Sequence, residues 1–208
     1  MMAFSIQQTQ RRLQIVGVAG IVLAAGSSFL IVEPILGGGS AGGALAMYNV
    51  SFIEVAGAGA GASGSASFLS SAQATVPVDQ ANLTQLIFHI SYTDNSFSPL
   101  FNPAVTVTIL GPEGSGGGSG SVPPGQTADI QVTINNLVPA NQTLEATSTE
   151  EALSKATGDS ANATIGMGDW MVTVDVGAPL AGRIRPSGTI SYTIALDMTY
   201  FEGTAERL

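Results

Sequence analysis

The sequence predicts a mainly β protein: an N-terminal transmembrane helix, then an antiparallel β-sandwich carrying one short helix. Three observations predict it. Leu13 to Val32 is a run of 20 residues without a charge. At about 1.5 Å of rise per residue, such a helix matches a bilayer's hydrocarbon core of about 30 Å. Downstream, apolar and polar residues alternate in stretch after stretch, the period of strands with one buried face. Only "STEEALSKATG" carries the start and stop signals of a helix.

Residues 1–12, "MMAFSIQQTQRR", read as a cytoplasmic N terminus. Arg11 and Arg12 precede the apolar run and no basic residue follows it closely, which orients the body outward. Residues 13–36 read as the transmembrane or assembly helix. Glu33 and Pro34 close it, because proline cannot continue the helical hydrogen-bond ladder. Gly17, Gly20, Ala24 and Ser28 share one side of this helix. Small residues at that spacing let two helix backbones approach closely in lipid, so these four are the candidate helix-packing residues. Two other readings compete with an anchor. Small residues at Ala24–Gly26 or Ala44–Ala46 would suit a signal peptidase, although a secretory apolar core spans only about 7–15 residues. The third reading is a filament-core helix.

Residues 37–45 open with "GGGSAGG", a flexible spacer. Residues 46–202 read as the extracytoplasmic body, and 203–208 as a C-terminal tail. "LIFHISY" places Leu86, Phe88, Ile90 and Tyr92 on one face. "AVTVTIL" does the same with Val105, Val107 and Ile109, and "ADIQVTI" with Ala128, Ile130, Val132 and Ile134. "WMVTVDV" buries Trp170, Val172, Val174 and Val176, and "TISYTIALDMTY" buries Ile190 through Tyr200 at every second position. "AMYNVSFIEV" and "SASFLSSAQATV" add two more strands. Seven to eight strands separated by turn-rich breaks suggest an antiparallel sandwich, and the lack of alternating helices disfavours a parallel α/β fold. In "STEEALSKATG", Ser148 caps the first turn, Glu151 reaches back, and Gly158 ends the helix. "GAGAGASGSAS" (57–67) and "GPEGSGGGSGSVPPG" (111–125) read as Gly/Ser-rich breaks, the second a mobile hairpin loop.

The charge is uneven. Residues up to Leu36 sum to +1 and those from Gly37 to −10. An acidic body without a basic stripe repels phosphate backbones, so nucleic acid is not an expected partner. With no cysteine, thiolate catalysis and cysteine-ligated metal sites are excluded. His89 is the only histidine, and no Gly-x-Ser-x-Gly elbow accompanies it. We therefore expect no catalytic residues, no resident metal and no cofactor. Calcium is the one candidate ion, through Asp94 and Asn95, or through Asp159 with Asp169, although no spacing matches an EF-hand loop. Trp170 reads as a core residue. Asn49, Asn82, Asn141 and Asn162 each begin an Asn-x-Ser/Thr sequon and are the possible glycosylation sites.

Two resemblances add to this reading. "RRLQIVGVAGIVLAAG" is similar to the start of archaeal type IV pilins and archaellins, which implies a helix packed in a filament core below a β-rich head. The sequence departs from that pattern by lacking a processing glycine or alanine just after Arg12, and by Gly26 and Pro34. The chain as a whole resembles archaeal membrane-anchored surface proteins of immunoglobulin-like build. The expectation is a non-enzymatic, single-pass cell-surface protein with a structural, adhesive or envelope-assembly role. Its partners would be the membrane, an envelope protein or its own copies. The alternatives are an extracellular filament subunit, in which "AMYNVSFIEV" would also donate a strand to a neighbour, and a ligand- or calcium-binding surface module.

Overall fold

A computed structural model of the chain describes residues 44–94, 103–158, 163–177 and 188–208. The helix expected over 13–36 and its small-residue side lie outside these residues. Among the described residues no helix is long and apolar enough to cross a membrane.

The described residues form antiparallel strands and one helix, in the order β1 (Ala46–Ala58), β2 (Ala62–Ser67), β3 (Ser70–Val78), β4 (Leu83–Asp94), β5 (Val105–Leu110), β6 (Gly117–Val122), β7 (Thr127–Thr133), β8 (Gln142–Ala146), α1 (Thr149–Thr157), β9 (Gly168–Val176) and β10 (Thr189–Arg207). One sheet has six strands in the order β7-β4-β10-β1-β8, with β2 also paired to β10. The other has four, β3-β9-β5-β6. β10 is the spine of the larger sheet. Along one side it pairs with β4, and along the other with β2 and then β1.

The period-two pattern decides which face of each sheet is buried. Leu86, Phe88 and Ile90 of β4, Val107 and Ile109 of β5, Trp170, Val172 and Val174 of β9, and Ile190 and Ile194 of β10 share one apolar core. Both sheets contribute to it. The Phe88 and Trp170 rings, one from each sheet, lie 5.7 Å apart. Trp170 is fully buried, and its indole N–H donates to the Gly166 carbonyl at 2.8 Å, so the one polar atom of the ring is satisfied.

A second, smaller core lies on the opposite face of the larger sheet. Tyr48, Val50 and Phe52 of β1 and Phe201 of β10 pack there with Ala146, Ala152 and Ala156. The Phe52 and Phe201 rings meet edge to face at 6.0 Å. α1 covers this face and is capped as its sequence predicts. The Ser148 hydroxyl accepts from the Glu151 amide at 3.2 Å, and Gly158 ends the helix with φ of 55°. The Glu151 carboxylate reaches back one residue further than a capping box requires, to the Thr147 amide at 2.7 Å. Lys155, followed by Thr147, holds Glu151 well below the usual carboxylate range, at about 2.

Four expectations need correction. "SASFLSSAQATV" is not one strand. It turns at Phe68 and Leu69, the latter at φ of 59°, and passes from the larger sheet to the smaller. The stretch 111–125 contains a strand, because Gly117–Val122 pairs along β5. Its glycines are needed there: a Cβ on Gly118 would stand 2.9 Å from Ile130 Cγ2 of β7, where the two sheets close on each other. "GAGAGASGSAS" likewise forms the end of β1 and all of β2. Finally, residues 203–207 are not a tail; they continue β10 and pair with β1.

Candidate functional site

Among the described residues, three titratable side chains meet on the outer face of the larger sheet. β4 aims its polar residues there, His89 among them. The register sets Asp129 of β7 opposite His89, and Asp197 of β10 lies one diagonal step away. The imidazole therefore spans three strands, with Nδ1 2.7 Å from Asp129 Oδ1 and Nε2 3.1 Å from Asp197 Oδ2. The hydrogen bond to Asp129 raises the histidine pKa most, with Asp197 adding to it, against a smaller opposing effect of burial. Both ring nitrogens lie within hydrogen-bond reach of carboxylates, so the imidazole acts as a cross-strand clamp that is strongest when protonated.

A second polar spot is a shallow, open depression of about 360 Å³ at one end of the smaller sheet, lined by Leu69, Ser70, Ser71, Ala104, Thr106 and Asp175 among others. The Ser71 hydroxyl donates to the Asp175 carboxylate within it. Activating a serine requires a base poised near neutrality, usually a histidine. His89 lies on the outer face of the other sheet, so the two spots do not combine into a triad.

The remaining candidates are dispersed. Among the described residues no three His, Cys, Asp or Glu residues gather to hold a metal ion. Asp94 ends β4, Asp169 is exposed on β9, and Asn95 and Asp159 lie outside the described residues. Three sequon asparagines are described. Asn49 is exposed on β1, and Asn82 has φ of 58° at the entry to β4. Asn141 lies just before β8, where its side-chain oxygen accepts from the Phe52 amide at 2.7 Å and so extends the β1 ladder by one bond. Asn162 lies outside the described residues, as do Gly17, Gly20, Ala24 and Ser28.

Sequence reasoning placed His89 outward but missed its two partners, since pairing register is not written in any one strand. The exposed apolar residues Leu45, Met47, Ile53 and Leu208 were missed as well. They lie where the larger sheet runs past the first core, on the side that α1 does not cover.

No protein-family model matches the chain, and no curated protein matches it. Among solved structures, the crystal structure of FLHE is similar at 11% identity, covering 73% of this chain and 96% of that one with a TM-score of 0.27. A likeness that small transfers neither fold nor role.

Proposed function

We propose that this chain is a non-enzymatic, membrane-anchored cell-surface protein with a structural, adhesive or envelope-assembly role. One observation carries the reading. A 20-residue uncharged run behind Arg11 and Arg12 leads through a glycine-rich spacer into strands that begin at Ala46. An oriented anchor, a flexible link and a β body follow in that order. The body is read as an antiparallel β-sandwich of immunoglobulin-like build, a reading supported by two antiparallel sheets that share one core. Several of its outward polar groups form cross-strand pairs, among them His89 with Asp129, and Ser51 with Thr204 at 3.0 Å. That use suits a load-bearing surface more than a reaction centre.

The experiment is alkaline carbonate extraction of native membranes. The chain is expected to stay in the pellet and to enter solution only with detergent. Release by carbonate alone would overturn the anchor. The same purified material, weighed intact, reports whether Asn49, Asn82, Asn141 or Asn162 carries a glycan. A second reading, a filament subunit, is favoured by the small-residue spacing of Gly17, Gly20, Ala24 and Ser28. Electron microscopy that shows no filaments on cells or in purified material would sink it.

A further inference from the structure

We infer that the open edge of β1 from Ile53 to Gly59 is a self-pairing site, at which a second copy of this chain adds its own β1 edge in antiparallel register. The inference does not depend on the membrane anchor; it follows from how the sheets treat their edges. Natural sheets blunt exposed edges with proline, charge, shortness or cover, because an unpaired edge is a template for another strand. The other edges here are treated in that way. β3 carries Pro77. β8 has five residues, and Lys155 Nζ occupies its Glu145 carbonyl at 3.0 Å. β6 and β7 close on each other through Gly118 and Ile130. β2 is short, six residues, before the chain turns at Phe68 and Leu69 into β3.

The β1 edge is treated differently. β8 covers it only from Ala46 to Val50, and the Asn141 side chain covers the Phe52 amide. Beyond that point β1 pairs with β10 alone among the described residues. The Gly59 amide donates to Leu196 of β10 at 2.7 Å, and the Phe52 amide points the other way. The alternation of an antiparallel ladder therefore aims the N–H and C=O groups of Glu54, Ala56 and Ala58 outward. Past Gly59 the ladder slips, since Ala58 pairs with Asp197 but Ala62 with Ile194. Three residues there oppose two, and the bulge ends the flat edge.

The free edge is thus bounded by Asn141 on one side and the bulge on the other, and its midpoint is Ala56. Pairing two copies about Ala56 sets Glu54 against the other copy's Ala58, so no like charges oppose each other. It sets Ile53 and Val55 against Gly59 and Gly57, so no bulky pair collides. About six main-chain hydrogen bonds form across such a two-fold. Packing within one copy explains the glycines: a Cβ on Gly59 would stand 2.6 Å from Leu196 Cδ2, and one on Gly57 3.2 Å from Tyr200 Cε1. It does not explain the exposed Ala56 and Ala58, where a charged residue would fit. From Ala56 to Gly59 the edge carries only small uncharged residues, which offer no pockets to select a foreign peptide, and selection by side-chain pockets is how strand-adding partners are usually discriminated. The same strand from a second copy is its simplest complement.

The test uses the full chain in mild detergent at tens of micromolar. The protein has no cysteine, so Ala56→Cys creates its only thiol. A short bis-maleimide is expected to link two such copies at least five times more efficiently than two copies of Thr106→Cys, which is exposed on the smaller sheet. Sedimentation is expected to show that Ala56→Pro, which removes one outward donor, weakens the dimer about tenfold or more. Its thermal transition should stay cooperative. If that variant fails to fold, Ala56→Lys serves instead, since it leaves the backbone intact and sets two ammonium groups face to face. Equal cross-linking at the two positions would overturn the inference. So would a dimer left intact by the folded edge variant, because the contact would then lie elsewhere, such as in the N-terminal run.

Discussion

Replacing Trp170 by alanine tests whether the two sheets depend on one core. The ring is fully buried, meets Phe88 of the other sheet at 5.7 Å and donates to Gly166 at 2.8 Å. A tryptophan buries about 150–250 Å², which at about 25 cal/mol per Å² corresponds to about 4–6 kcal/mol. Mutations of this type cost about 3–5 kcal/mol when measured, because the site partly collapses. The expected loss is about 4 kcal/mol, a large share of the roughly 5–15 kcal/mol that stabilises a typical domain. Trp170→Phe keeps an aromatic ring but leaves the Gly166 carbonyl without its donor, and is expected to cost about 1–2 kcal/mol. Urea unfolding followed by circular dichroism is the assay, because removing the only tryptophan also removes its fluorescence. A cost below about 1 kcal/mol for Trp170→Ala would refute the shared core.

The His89 clamp has a definite sign with pH. The folded pKa is raised, so its stabilisation is fully present below the ordinary histidine value of about 6.5 and is lost as pH rises through the folded value. Such an exposed cluster is worth at most about 1 kcal/mol. NMR titration of the single imidazole should show the raised value, and Asp129→Asn should lower it more than Asp197→Asn. Ser148→Ala removes the helix cap and should cost about 1 kcal/mol in urea unfolding. Gly118→Val forces side-chain atoms against Ile130 and should cost about 1–3 kcal/mol by the same measurement.

The apolar strands were legible because their buried faces carry their own side chains. Leu86, Phe88 and Ile90, or Val172 and Val174, announce a face at every second position. The glycine-rich strands were not legible, for a physical reason. Gly118 and Gly120 face Ile130, and Gly64 lies under the Tyr192 ring, so the space at those positions is filled from a neighbouring strand. A sequence window there shows only small residues and reads as a loop. The capped helix was legible because its signals are local: Ser148, Glu151 and Gly158 act within a few residues of one another. The His89 clamp and the open β1 edge depend on which strands lie side by side, and in β10 one strand serves three neighbours at different heights. No spacing along the chain encodes that arrangement.

The central claim is that an oriented N-terminal anchor holds the β body outside the cell. Its most direct test is the labelling of Thr106→Cys on intact cells with a membrane-impermeant maleimide, since this thiol is the chain's only one and sits on an exposed face. An outward body is labelled on intact cells as completely as after lysis. Labelling that appears only after lysis would contradict that claim.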